Sequence, residues 1–360
     1  MKFLHVLRDL LLNARARAVD LVTIRSAAPM KFLGVQYARA VAALGVLIFH
    51  AAQRSGVDFT VGARGVDLFF VISGFIMWTA SSRKTVSPIE FVLARLKRIV
   101  PLYWIATTSL AIGAILGLFP TLREELTWPH YLQSLLFVPH VSPGSGQIWP
   151  VLVPGWTLNL EMFFYLSFAA SLLVSPRRRL AGLTTAFAAL VVVGLAFSPT
   201  GAIAITYTSP LILEFIGGMW IGALVLRSPP PRAALSIALG LAGLVGLLSV
   251  PHWGGVAERA ACLASASMCI YGVVCLDLRR GTPYFGFLKL VGDASYSIYL
   301  WHGVAVSIVA ALTYRLGLPL FVIIPASIAG GLVMGLMSYV LLERPTSRIL
   351  ANVGARSNPG

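Results

Sequence analysis

The sequence contains few charged residues. Asp, Glu, Lys and Arg make up 11% of its 360 residues, whereas a soluble globular chain carries about 25%. Hydrophobic residues make up 58%, and buried surface rises only slowly with chain length, so a water-soluble fold of this size could not hide so much apolar surface. The scarcity of charge therefore excludes a soluble enzyme and a disordered chain, and it predicts an all-α polytopic membrane protein.

Cysteine is also scarce. The three cysteines, Cys262, Cys269 and Cys275, all fall in one apolar segment. An odd count does not fit a disulfide framework, and the spacing is not that of metal ligands, so we interpret them as helix-packing residues and predict no metal site. Walker, dinucleotide-binding, HExxH and GxSxG motifs are absent as well. Function must therefore be inferred from the membrane segments themselves.

Long apolar runs dominate what the sequence does contain. A transmembrane helix needs about 20 mostly apolar residues, and no period-2 alternation of a membrane β-barrel is visible. We predict about ten transmembrane helices. They are placed at 33–52, 65–80, 99–119, 156–174, 180–197, 210–226, 233–250, 259–276, 290–312 and 319–342.

The basic residues are distributed unevenly between the loops. Of the 28 lysines and arginines, 22 fall on the side that carries both termini and five on the opposite side, with Arg39 inside the first span. Cytoplasmic loops carry the excess of Lys and Arg, so this asymmetry predicts that both termini are cytoplasmic. The net charge of +15 is thereby explained by membrane orientation, and we predict no binding of nucleic acid.

Three regions follow from this organisation. Residues 1–30 are basic with apolar residues spread through them, which is typical of an amphipathic extension at a membrane surface. Residues 31–345 form the membrane domain, and 346–360 form a short cytoplasmic tail. No long-period internal repeat is visible, which weighs against a transporter built from inverted repeats.

Ionisable residues inside predicted spans are costly and are therefore functional candidates. Arg39 and His50 are separated by eleven positions, which on a helix places both on one face and about 16 Å apart along the axis. This spacing suggests a phosphate clamp at the inner end and chemistry at the outer end. The alternative is a snorkelling arginine and a histidine that hydrogen-bonds a nearby carbonyl.

Acidic residues are predicted near His50. Asp67, Glu161 and Glu214 all fall within the outer part of their spans. A carboxylate beside a histidine can hold its tautomer and stabilise the imidazolium, so we predict that His50 is a general base oriented by Glu161 or Asp67. The alternative is a buried structural polar cluster. We place His302 near mid-membrane and interpret it as a packing residue, or one that supports the catalytic group, rather than as the base.

Basic and aromatic residues near the span ends complete the candidate site. Arg95 and Arg98 are three positions apart and face the same way on a helix. They could hold a phosphorylated molecule, or they could set orientation and bind anionic lipid. Trp156 follows an aromatic-rich outer loop, where it could stack on a sugar or belong to an ordinary interfacial belt.

Six segments, taken together and in order, resemble the integral-membrane acyltransferase-3 family, and the resemblance is to its exopolysaccharide O-acetyltransferase branch. It covers about residues 31–345 and implies acetyl transfer from acetyl-CoA to sugar hydroxyls, with His50 catalytic and Arg39, Arg95 and Arg98 at the acyl donor. We expect Trp156, Tyr165 and His302, which lie in two of the segments, to contact the acceptor. The segments are Arg39 with His50, Gly65–Phe75, Arg95–Arg98 followed by Pro101–Trp104, Gly155–Tyr165, Ser295–His302 and Glu343–Pro345.

The sequence thus predicts a multi-pass acetyltransferase of the bacterial inner membrane. Its expected partners are acetyl-CoA, a polysaccharide or lipid-linked oligosaccharide acceptor and membrane lipid, with the polysaccharide synthesis or export machinery as a further candidate. No permanently bound cofactor is expected. Two rival hypotheses remain at this point: a glycan or lipid transporter or flippase that uses the same polar residues for cargo or protons, and a non-catalytic scaffold.

Overall fold

The computed structural model describes residues 32–82, 86–251 and 254–356, with the backbone alone from 351 onward. The predicted extension 1–30 and the end of the predicted tail lie outside the described residues. Within them every regular element is helical, which confirms the all-α prediction. In chain order the helices are α1 (Leu33–Arg54), α2 (Gly65–Ser81), α3 (Pro88–Ile115), α4 (Pro120–Glu125), α5 (Trp128–Leu135), α6 (Gly155–Ser171), α7 (Pro176–Phe197), α8 (Ala202–Tyr207), α9 (Ile212–Arg227), α10 (Ala233–Ser249), α11 (Gly255–Arg280), α12 (Gly286–Asp293), α13 (Ser295–Arg315), α14 (Leu320–Ser338) and α15 (Arg344–Arg356).

Ten of these helices coincide with the ten predicted spans. Eight helical segments of the described residues are long and apolar enough to cross a membrane. The other two predicted spans correspond to α6 and α10, each of 17 residues, or about 26 Å at 1.5 Å per residue. The chain is therefore a multi-pass α-helical membrane protein.

Two of the predicted boundaries are wrong. Helix α3 begins at Pro88, well before the predicted residue 99, because Ser87 and Glu90 form a reciprocal capping box and Pro88 occupies the first helical turn. Arg95 and Arg98 are consequently helical residues, not loop residues. The predicted span 290–312 is divided into α12 and α13 by Ala294, which joins the two helices.

Glycines bring α2 and α9 into close contact. A Cβ added at Gly218 would lie 1.9 Å from the backbone oxygen of Val71, and one added at Gly74 would lie 1.9 Å from that of Phe215. Small residues at a membrane helix interface permit this approach of the two backbones, which packs the helices by van der Waals contact. The α2–α9 pair forms one wall of the helix assembly that carries the site.

We expect Gly218→Ala to destabilise the protein. The added methyl group must push the two backbones apart, and overpacking of this kind costs about 1–3 kcal/mol. Gly182→Ala in α7 is the matched control, because a Cβ there meets nothing within 4 Å. Thermal unfolding in detergent should show a lower melting temperature for Gly218→Ala alone; equal melting temperatures for the two variants would contradict the close packing.

Candidate active site

A cavity of about 100 Å³ lies between α1, α2, α3, α6 and α13. Its polar lining includes Arg39 from α1, Arg98 from α3 and Glu161 from α6. Much of the remaining wall is apolar and comes from α2, the hydrophobic helix that contains Phe69 and Ile76. Arg98 is exposed whereas Arg39 is half-buried, so the polar lining runs from an accessible arginine into the helix assembly.

Glu161 is held inside this cavity by two hydroxyl groups. The Ser73 hydroxyl donates to Oε1 over 3.2 Å, and the Tyr165 hydroxyl donates to the same oxygen. Tyr165 follows Glu161 by four residues, so both side chains lie on one face of α6. The Arg95 side chain is hydrogen-bonded to Tyr165. Its buried Nε atom has no hydrogen-bond partner among the described residues. The predicted residues Arg95, Glu161 and Tyr165 are therefore one connected group.

A second acidic residue faces the arginines of the cavity. Glu343 closes the π-helical turn Tyr339–Glu343 and accepts a hydrogen bond from the Ser297 hydroxyl over 2.6 Å. It interacts electrostatically with Arg39 and Arg98. Sequence reasoning assigned Glu343 no role, although a single-turn π-helix often marks a functional site. Three arginines (Arg39, Arg95 and Arg98) thus face two glutamates here, and Asp293 also acts on Arg39.

His50 and His302 are packed against each other. Their ring centroids are 4.9 Å apart, although the residues come from α1 and α13. The His302 Nδ1 atom lies 2.6 Å from the Tyr299 carbonyl oxygen; because a carbonyl only accepts, Nδ1 carries the proton and Nε2 keeps its lone pair. His302 is fully buried, and its Nε2 atom has no partner within the described part of the chain. The structure thus places in contact two histidines to which the sequence analysis assigned different roles.

Tyr299 connects the cavity to this histidine pair. It lines the cavity, and its ring centroid is 5.7 Å from that of His302. Its hydroxyl is hydrogen-bonded to the Thr157 hydroxyl over 2.9 Å. The cavity is therefore connected to His50 by a continuous series of contacts through Tyr299 and His302. Arg39 and His50 lie at the two ends of this series, and both belong to helix α1.

Residues 32–342 match the sequence pattern of the acyltransferase domain family. The chain belongs to this family. It is 45% identical over 307 residues to the exopolysaccharide production protein ExoZ of Rhizobium meliloti (strain 1021), which covers 84% of this chain and 95% of ExoZ.

More distant relatives carry related names. BcsY of Komagataeibacter xylinus, whose name describes a membrane-bound transacylase, is 29% identical over 326 residues, covering 83% of this chain and 78% of BcsY. The acyltransferase MdmB of Streptomyces mycarofaciens is 29% identical over 285 residues, which cover 71% of this chain and 72% of MdmB. No solved structure matches the chain.

The outer polar cluster expected from the sequence is divided in this acyltransferase. Asp67 lies against Glu214 and 3.9 Å from an Arg259 nitrogen, and both carboxyl groups are buried. In the described residues neither Asp67 nor Glu161 contacts the His50 imidazole, which is hydrogen-bonded to Gln53 instead. We therefore correct the expectation that either carboxylate orients His50. Helix packing places Asp67 beside Glu214 of α9 and places Glu161 near the arginines of the cavity.

Three further residues of the acyltransferase lie apart from the cavity. Trp156 is half-buried at the start of α6 and packs on the aromatic core; it is not among the described residues that line the cavity. His130 and His140 face each other with ring nitrogens 2.8 Å apart. Burial and the neighbouring His140 lower the pKa of His130 to about 4, so His130 is neutral at ordinary pH.

Proposed function

We propose that the chain is an O-acetyltransferase that moves an acetyl group from acetyl-CoA to a sugar hydroxyl of a bacterial exopolysaccharide or of its lipid-linked precursor. The observation that carries the proposal is the continuous series from the arginine-lined cavity through Tyr299 to the His50–His302 pair. The proposed location is the bacterial inner membrane, where the donor is available on the cytoplasmic side and the polymer leaves on the other.

The charge of the cavity supports an anionic donor. Arginine guanidinium groups suit phosphate oxygens because their donors form a rigid fork. Arg98 is exposed and Arg39 lies further in, an order that suits a phosphate-bearing head at the entrance and a narrow pantetheine arm inside. The arm would bring its thioester toward Tyr299 and the histidines, across the roughly 16 Å that separate Arg39 from His50 on one helix.

The histidine pair supports a general-base mechanism. His50 takes the proton of the acceptor hydroxyl while the hydroxyl oxygen bonds to the thioester carbonyl carbon. The carbon–sulfur bond then breaks, and the departing sulfur takes the proton back from the imidazolium. His302, fixed by its hydrogen bond to the Tyr299 carbonyl, packs on the His50 ring and limits its orientation. Transfer through an acetyl-histidine is the two-step variant of this route.

The acceptor is proposed by analogy with the relative ExoZ, whose name refers to exopolysaccharide production. His50 is half-buried, unlike the fully enclosed His302, so a hydroxyl group can approach His50 from the side away from the cavity. Trp156 stays a predicted acceptor contact, whereas Tyr165 lines the cavity with Glu161 and is better placed to contact the donor.

Labelled acetyl-CoA tests the proposal. Membranes that contain the chain, compared with membranes that lack it, should release CoA thiol and carry the label on a glycan. The rival transporter or flippase would move glycan without labelling it. A membrane preparation in which polymer export changes but no acetyl group is transferred would replace the proposed enzyme with that rival.

We expect the C-terminal tail and the loop 140–147 to lie on opposite sides of the membrane. A reporter fused after Asn358 should be cytoplasmic, and one inserted within 140–147 should lie outside, because 22 of 28 basic residues share the side of the termini. Accessibility of the two reporters to a membrane-impermeant reagent measures this. A tail reporter that reacts from outside would contradict the orientation and, with it, entry of the donor at Arg98.

A further inference from the structure

We call the donor cavity and the surroundings of the histidine pair the two compartments of the site. Arg39, Arg98 and Glu161 line the cavity, whereas His50 and His302 are not among the described residues of its wall. Tyr299 belongs to that wall and also contacts the His302 ring, so its side chain lies at the boundary between the two compartments. A thioester that enters from the arginines must pass this side chain to reach His50.

The Tyr299 side chain is buried and is held by one hydrogen bond and by aromatic contacts. Its hydroxyl is hydrogen-bonded to Thr157, which in turn donates to the Pro154 carbonyl over 2.9 Å. The ring lies edge-on to Phe69 with centroids 5.8 Å apart. A neutral hydrogen bond contributes little net free energy, so its removal would favour rotation of the ring only by a modest factor.

The acceptor and the donor thioester differ in how they tolerate water. An acceptor sugar is hydrated, and His50 is half-buried rather than enclosed, so a docking sugar would bring water to the side of His50. Water is a competing acceptor for any thioester, and closed active sites suppress such side reactions by excluding it. A barrier between donor and histidines would therefore decide whether the acetyl group goes to sugar or to water.

We propose that Tyr299, held by Thr157, is this barrier: a gate that keeps the donor thioester away from water until an acceptor occupies the histidine side. The inference rests on the proposed acetyl-CoA-dependent function. Tyr299 thereby determines acceptor specificity without taking part in bond formation, and the hydrogen bond to Thr157 is the contact that holds the gate closed.

Hydrolysis of acetyl-CoA in the absence of acceptor tests the gate. In this reaction the water oxygen bonds to the acetyl carbon, the carbon–sulfur bond breaks, and a proton from water passes to the sulfur to give acetate and CoA thiol. Purified protein in lipid nanodiscs should release thiol about 2- to 12-fold faster as Tyr299→Phe, since one neutral hydrogen bond is lost. Thr157→Val should have a similar effect, because it removes the same bond from the other side, and the double variant should not add the two effects.

A matched control separates the gate from a general loss of packing. Thr184→Val in α7 removes the acceptor of a 3.1 Å hydrogen bond from the exposed Trp220, and it should leave hydrolysis at the wild-type rate. Transfer to added acceptor should stay within about tenfold of wild type in both gate variants, because neither group forms or breaks a bond.

Three outcomes would overturn the proposal, and they are distinguishable. Wild-type hydrolysis rates in both Tyr299→Phe and Thr157→Val would show that the hydrogen bond closes nothing. A loss of transfer of about 10²-fold or more in Tyr299→Phe, with Thr157→Val unaffected, would make the Tyr299 hydroxyl a participant in the chemistry. A wild-type protein that neither binds nor consumes acetyl-CoA would remove the proposed function itself, and the gate with it.

Discussion

His50→Ala is expected to reduce acetyl transfer about 10²- to 10⁴-fold, because loss of a general base has this effect. Loss of a covalent nucleophile could cost more. The protein should remain inserted and abundant, since alanine is a good helix former and His50 is only half-buried, near the C-terminal end of α1. The rate of labelled acetyl transfer to acceptor glycan, at equal protein level, measures the effect.

His50→Gln sharpens this prediction. Glutamine keeps a hydrogen-bonding side chain but takes up no proton near neutral pH, so it should be as inactive as alanine while preserving more of the packing against His302. Acetyl-CoA binding should change little in both variants, because the arginines of the cavity are untouched. A flippase in which His50 bound cargo would show a binding defect and no transfer in wild type.

An active His50→Gln protein would move the chemistry elsewhere. If it is folded and still acetylates at near the wild-type rate, His50 is not the base. His302 then becomes the first residue to test, because its ring lies 4.9 Å from that of His50 and its Nε2 atom retains a lone pair. His302→Gln would lose activity in that case, and would otherwise show the milder effect of a residue that positions His50.

The membrane architecture could be predicted from the sequence because it depends on local properties. Apolar length located ten helices, and the eleven-residue spacing placed Arg39 and His50 on one helix, as the structure confirms. The early start of α3 was also readable, since Ser87 and Glu90 have the spacing of a capping box. That signal was missed because hydropathy, not capping, set the predicted boundary.

Contacts between helices could not be predicted in the same way. Depth estimates placed Asp67, Glu161 and His50 in one outer layer, but they carry no information on which helix faces which. The structure separates them because Glu161 points to Ser73 and Arg39 while Asp67 meets Glu214 across the close α2–α9 contact. His302 reaches His50 because α13 packs against α1, which no single span reveals.

The arginines of the cavity give the second large expected effect. Arg98→Ala should weaken acetyl-CoA binding by about 1.5–3 kcal/mol, or roughly 10- to 160-fold, because a charge-assisted hydrogen bond to phosphate is lost. Arg98 is the predicted clamp that is exposed at the cavity, whereas Arg95 lies behind Tyr165. Equilibrium binding of acetyl-CoA to purified protein measures the loss, and high salt should reduce the difference between variant and wild type.

Two variants decide whether this effect is specific to the site. Arg178→Ala removes an equal charge from an exposed position in the first turn of α7 and should leave donor affinity unchanged. Arg98→Lys keeps the charge but loses the planar fork, so it should recover only part of the affinity. If Arg98→Ala binds acetyl-CoA as wild type does while transfer is lost, Arg98 is not a donor clamp. Its contacts with Glu343 and Arg39 would then have to act on the chemistry through the shape of the cavity.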